Sequence, residues 1–265
     1  MRPPGVIFDL DGTVYLGDRL LPGARETIEW LRQHDHPIVF VSNKPLASRA
    51  DYAAKLTRLD VPTRPEEVVN SSWVLVRYMS RETPGATVYP LGEPSLREEL
   101  TAGGFRLSQD PDEIEVVVAS FDRTFDYRKL NIAFQALRRG AYFFATNADA
   151  TCPVEGGEIP DAGAVIGALE GCSKREVELV VGKPSPLIVE VALEQLGRPA
   201  VECIMVGDRV ETDILMGHRA GMVTILVLTG VTRRQELSRA PVQPDHLLES
   251  IADLPGLLES GGLRT

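Results

Sequence analysis

Short β-branched runs alternate with stretches in which apolar residues recur every three or four positions, from one end of the chain to the other. That alternation is the pattern of a parallel sheet covered by helices, so the class is α/β. Val6 to Phe8, Ile38 to Val41, Leu179 to Val181, Ile204 to Val206 and Thr224 to Leu228 are nearly continuous apolar runs, as expected of strands buried on both faces. Between them, Ala24 to Leu31 shows helical spacing after Pro22-Gly23, and Ala47 to Leu59 repeats it after Pro45. Pro186 to Leu196 predicts a helix that stops at Gly197, a residue favoured just past a helix end.

The middle of the chain has strands and helices of its own, but none of its strands leads into an acidic or Lys-bearing turn of the kind described below. Thr87 to Tyr89, Val116 to Ala119 and Tyr142 to Ala145 are its expected strands, with helices at Leu96 to Ala102 and Arg128 to Arg138 and a Gly- and Pro-containing loop at Cys152 to Gly163. It has the character of an insertion. The expected organisation is a doubly wound parallel-sheet core over residues 1–82 and 179–265, interrupted by an α/β cap over residues 83–178.

Composition narrows the function classes. A chain of 265 residues favours about two domains. Its formal charge of −10 opposes attraction to nucleic acid or anionic lipid, so neither is expected as a partner. A small anionic substrate would need local cations. Val6-Ile7-Phe8 is cut short by Asp9, too early for a signal-peptide core, and the run from Met222 to Leu228 is far below bilayer length; a cytoplasmic location is the expectation. Cys152, Cys172 and Cys203 are odd in number and lack Cys-x-x-Cys spacing, which argues for packed thiols rather than disulfides or zinc.

Four strand ends carry the candidate chemistry. Asp9-Leu10-Asp11-Gly12-Thr13 follows the first strand, Ser42-Asn43 the second, Gly182-Lys183-Pro184 the strand at Leu179, and Gly207-Asp208 the strand at Ile204, with Asp213 five residues on. In an open parallel sheet the carboxyl ends of all strands line one edge, where ligands bind at the switch in strand order. Asp9, Asp11 and Asp208 offer hard oxygen donors with no His or Cys among them, which suits Mg²⁺ rather than zinc. Carboxylates repel a phosphate dianion unless cations neutralise them, so a metal and Lys183 together point to a phosphoryl site.

Rival readings fail on spacing. Lys183 is no P-loop Lys, since Val177 stands where the first Gly belongs and Pro184 where Ser or Thr should be. Gly12 comes too early for an EF-hand loop, no Gly-x-Gly-x-x-Gly follows a strand, and His34, His36, His218 and His246 form no close pair. Arg233 and Arg234 read as a solvated helix start, and Asp213 could cap the helix from Ile214 to Ala220.

Together the four segments resemble the four motifs of the haloacid dehalogenase superfamily, across nearly the whole chain. An insert between the second and third motifs resembles the class IIA, NagD-like phosphatases. Tyr127 to Ala136, Ala145-Thr146-Asn147 and Asp161-Ala162-Gly163 resemble the arabinose-operon type of sugar phosphatase.

The resemblance implies that Asp9 attacks phosphorus and that Asp11 is the general acid and then base. Mg²⁺ would be held by the side chains of Asp9 and Asp208 and the backbone carbonyl of Asp11, while Asp213 would orient Lys183 or a water on the metal. Ser42, Asn43 and Lys183 would hold the phosphoryl oxygens. In this branch the cap overhangs the site, so Asn147 and Asp149 could select substrate, although a plain Asn- and Asp-rich turn is the slightly favoured reading of them. A small phosphorylated metabolite, such as a sugar or polyol phosphate, is the expected substrate, with homodimerisation through the cap. Nucleotides, pyridoxal phosphate, transfer to a sugar hydroxyl and a phosphoacceptor signalling role are the alternatives.

Overall fold

The computed structural model describes residues 2–154 and 157–262. Contacts divide the chain into two compact units: Met1–Ser42, Arg49–Val69 and Lys183–Thr265 form the first, and Asn43–Ser48 with Asn70–Gly182 the second.

The first unit is built on a six-stranded sheet in the order His246–Leu248, Val223–Val227, Cys203–Gly207, Gly5–Asp9, Ile38–Ser42, Val68–Asn70. The four pairs from His246–Leu248 across to Ile38–Ser42 are parallel. The strands Gly5–Asp9, Ile38–Ser42 and Cys203–Gly207 are buried throughout, which is why they read as unbroken apolar runs. Register brings their ends abreast: Phe8 pairs with Val206 and Phe40, and Asp9 with Val41. Chain order reverses at Gly5–Asp9, with the next long strand on one side and the strand at Cys203 on the other, so the switch point lies at Asp9. Helix Ala24–Gln33 covers the sheet through Ala24, Thr27, Ile28 and Leu31, the stripe that its periodicity predicts.

The second unit has its own five-stranded sheet, ordered Leu179–Val180, Tyr142–Ala145, Val116–Ala119, Thr87–Leu91, Arg106–Leu107, with every neighbouring pair parallel. Tyr89, Val117, Phe143, Ile166 and Leu169 share its separate hydrophobic core.

Four expectations need correction. The strand at Leu179 is not in the main sheet; it is an edge of the second unit's sheet, paired with Tyr142–Ala145. The helix Ser71–Glu82 and residues 43–48 also belong to the second unit, where the sequence pattern drew the boundary after Glu82. Three hydrogen bonds tie them there: Asn70 Nδ2 to the Ala47 carbonyl at 2.8 Å, Ser71 Oγ to the Asn43 carbonyl at 2.7 Å and Ser95 Oγ to the Pro45 carbonyl at 2.9 Å. The expected loop at Cys152 to Gly163 is an antiparallel pair, Thr151–Val154 with Gly157–Pro160, leading into helix Ala162–Ser173; residues 155 and 156 lie outside the described residues. Cys172 is exposed, whereas Cys152 and Cys203 are packed as expected. No helix among the described residues is long and apolar enough to cross a membrane.

Candidate active site

Asp9 ends its strand buried, and its carboxylate meets an ammonium from far along the chain. Lys183 Nζ donates to Asp9 Oδ1 at 2.5 Å and to Asp213 Oδ1 at 2.6 Å, with the Lys side chain only 3% exposed. Although burial alone would lower the Lys183 pKa, Asp213 and Asp9 outweigh it and raise that pKa, so the ammonium stays charged. Lys183 is thus beside Asp9 as the motif reading expects, but it follows an edge strand of the other sheet rather than a strand of this one.

Asp213 lies in a π-helical turn, Val210–Ile214, and its Oδ2 accepts the Arg209 N–H at 3.1 Å. With one oxygen on Lys183 and the other on the Arg209 N–H, its carboxylate does not cap the helix that follows. Asp208 is seated by a loop after the strand Val223–Val227, where the Val231 N–H donates to its Oδ2 at 2.6 Å and the Thr232 N–H to its carbonyl at 3.1 Å. Two glycines make that seat possible. A methyl at Gly230 would stand 1.9 Å from Asp208 Oδ2, and one at Gly12, where φ is +89°, 2.7 Å from the same atom. The Thr229-Gly230-Val231-Thr232 loop is absent from the motif reading, although a Gly flanked by Thr and Val directly after a buried strand was visible in the sequence.

Carboxylate oxygens of Asp9, Asp208 and Asp213 lie within 4.8 Å of one another, all buried. The Asp11 side chain is not part of this group; it sits in the turn after the first strand, with the Gly12 N–H bonded to the Tyr15 carbonyl at 2.8 Å and the Gly12 carbonyl accepting from Thr229 Oγ1 at 2.5 Å. When all are ionised, three carboxylates against one ammonium leave two negative charges in a buried space. Burial first holds Asp9 well above the usual carboxylate range, with Asp213 and Asp208 adding and Lys183 opposing. Asp208 is pushed up to about 6, again by burial and then by Asp213. Asp9 Oδ2 is buried without a hydrogen-bond donor. An all-oxygen cluster with an excess of two charges and an undonated oxygen fits a hard divalent cation.

Ser42 is buried at the end of the neighbouring strand, level with the acidic turn. Asn43 belongs by its contacts to the second unit. There Asn43 Nδ2 and Asn147 Nδ2 each donate to Asp149 Oδ2 at 2.9 Å, and Asn147 Nδ2 also reaches Asp161 Oδ1 at 3.1 Å. Asp161 caps helix Ala162–Ser173 by accepting the Ala162 N–H at 2.5 Å. Asn147 and Asp149 therefore knit a turn to a helix start, whatever else they do. Asp161→Ala should cost about 1–2 kcal/mol in urea unfolding through loss of this cap and its buried partner; an unchanged midpoint would show the knot to be ornamental.

The family description "Haloacid dehalogenase-like hydrolase" matches residues 6–106, and "HAD-hyrolase-like" matches residues 180–254. The chain is 40% identical over 261 residues to a Bacillus subtilis protein named sugar-phosphatase AraL, covering 98% of this chain and 95% of that one. Among solved structures, a p-nitrophenyl phosphatase from Archaeoglobus fulgidus superposes with a TM-score of 0.90 at 34% identity, over 96% of this chain and 98% of that one. NagD from E. coli K-12 superposes at 0.86 with 30% identity, over 96% and 98%. With sequence and structure matched across nearly its whole length, the chain belongs to the haloacid dehalogenase superfamily, in the NagD-like branch of its phosphatases.

Proposed function

We propose that the protein is a Mg²⁺-dependent phosphatase of small phosphate monoesters, sugar or polyol phosphates foremost, working through a phosphoaspartate at Asp9. The observation that carries the reading is Lys183 clamped between Asp9 and Asp213 within a three-carboxylate cluster, with one Asp9 oxygen left without a donor. One carboxylate oxygen of Asp9 attacks phosphorus, the bond from phosphorus to the alcohol oxygen breaks, and Asp11 gives that oxygen its proton. Water then attacks the acyl phosphate and surrenders a proton to Asp11, releasing inorganic phosphate, freeing the Asp9 carboxylate and leaving Asp11 protonated for the next turnover. Lys183 and Ser42 hold phosphoryl oxygens while charge moves between the attacking and leaving atoms. Asp9 and Asp208 would hold the metal by their side chains and Asp11 by its backbone carbonyl; when bound, Mg²⁺ supplies positive charge against the phosphoryl oxygens. The sugar-phosphate preference follows the name of the Bacillus subtilis relative.

A panel of sugar, polyol, nucleotide and pyridoxal phosphates, assayed with Mg²⁺ and again after chelation, tests this reading. Turnover should vanish on chelation and return with Mg²⁺, and sugar or polyol phosphates should lead. Undiminished activity after exhaustive metal removal would defeat it.

The same cluster predicts a pH effect independent of activity. Asp208 holds its proton up to about 6 when folded, against 3.8 ordinarily. Between those values the folded state keeps a proton that the unfolded state has released, so stability falls as pH rises through the window. Asp9 acts in the same direction. Thermal melts of metal-free protein should therefore show Tm dropping from pH 4 toward 7 on this account, less steeply with Mg²⁺ or in Asp208→Asn. Identical slopes in all three would count against a charge-crowded cluster.

A further inference from the structure

Tyr15 is fully buried, yet its hydroxyl makes no hydrogen bond among the described residues. Leaving a buried hydroxyl unpaired costs about 1–3 kcal/mol, a penalty that native folds rarely carry without a compensating use. Its place in the chain suggests the use. Tyr15 and Asp11 form an isolated bridge across the tight turn after the first strand, closed by the bond from the Gly12 N–H to the Tyr15 carbonyl. The ring is fixed from two sides, by the hairpin pairing Tyr15 with Leu20 and by Lys55, whose Nζ lies 3.8 Å from the ring centre. After burial, the Asp11 carboxylate acts on the phenol more than any other group, by its charge and by a contact with the hydroxyl that falls short of full hydrogen-bond geometry, and burial and Asp11 both push the pKa upward, so the hydroxyl keeps its proton.

A phenol can donate to a carboxylate and equally to the unprotonated oxygen of a carboxylic acid. Asp11, on the function proposed above, passes through both forms in each turnover, and catalytic hydrogen bonds are often long before substrate binds. We propose that Tyr15 is a positioning residue for Asp11: its otherwise unpaired hydroxyl donates to the carboxyl oxygen that does not carry the catalytic proton as substrate enters, and keeps donating to the carboxylate once that proton has gone to the leaving group. No bond to Tyr15 forms or breaks, and its proton stays with it. The inference rests on Asp11 being the general acid.

The test is Tyr15→Phe, which removes only the oxygen. A sugar alkoxide needs Asp11's proton in order to leave, whereas 4-nitrophenolate leaves well without one, and kcat/KM reports steps up to the first irreversible one. The ratio of kcat/KM on a sugar phosphate to that on 4-nitrophenyl phosphate should fall about tenfold, a fraction of the 10²–10⁴ that general acids contribute. In an Asp11→Asn background, Tyr15→Phe should no longer change that ratio. Thermal melts should show no loss of Tm, because the deleted oxygen completes no hydrogen bond before substrate enters. A ratio equal to wild type in Tyr15→Phe, or a lowered Tm with both substrates slowed alike, would overturn the proposal. The two readings fail separately: an Asp11→Asn enzyme with wild-type kcat/KM on the sugar phosphate sinks the acid role itself, while a crippled Asp11→Asn beside a normal Tyr15→Phe sinks only the role of Tyr15.

Discussion

Asp9→Asn protein should fold, melt no lower than wild type in metal-free buffer, and turn over phosphate monoesters at least roughly 10⁴-fold more slowly, the scale seen when a covalent nucleophile is deleted. The amide keeps the shape of the carboxylate, and its oxygen can still accept the Lys183 ammonium that now stands 2.5 Å from Oδ1. What it loses is the electron-rich oxygen that would bond to phosphorus. It also removes one of three buried negative charges lying within 4.8 Å of one another, so repulsion with Asp208 and Asp213 eases as activity goes. Steady-state rates on 4-nitrophenyl phosphate, alongside melts of the same preparation, separate lost chemistry from lost folding. Turnover within tenfold of wild type in a folded Asn variant would remove Asp9 as the nucleophile.

Lys183→Met should damage both activity and stability. Its ammonium is the cation that the structure places between Asp9 and Asp213, with its side chain 3% exposed and that of Asp213 1%. Removing one partner from a buried ionic group costs about 3–5 kcal/mol, because the charges left behind have neither water nor a counter-charge. Met matches the length of the stem, so the deficit reports charge rather than a cavity. In metal-free buffer the variant should unfold at markedly lower urea, and Mg²⁺ should recover part of the difference by neutralising the orphaned carboxylates. Activity should stay low even with Mg²⁺, since a phosphoryl oxygen has lost its donor. A variant as stable and active as wild type would mean that the cluster is not the organising charge of the site.

The sequence made the acidic turns legible because a strand buried on both faces has no reason to end in carboxylates unless its end is used; Val6-Ile7-Phe8 running into Asp9 and Ile204 to Val206 running into Asp208 are such contrasts. Lys183 was legible for an imperfect reason. Its strand belongs to the second sheet, and a short apolar run does not say which sheet it joins. The Thr229 to Thr232 loop went unread because its contribution to Asp208 is made by a backbone N–H, which no residue type announces. Helix Ala162–Ser173 escaped because Gly163, Gly167 and Gly171 dilute its helical signal, although Asp161 at its start is a favoured cap. The helix Ser71–Glu82 carried a comparable signal in Asn70, whose side chain accepts the Trp73 N–H at 3.2 Å.

The close fit of Asp208 against Gly12 and Gly230 bears on how the enzyme can be re-engineered. Any side chain at either position would enter space that the carboxylate already fills, and at Gly12 it would also require a backbone angle that other residues resist. A mutagenesis library seeking new substrates can leave positions 12 and 230 as they are and spend its diversity on residues that do not wall in the acidic group.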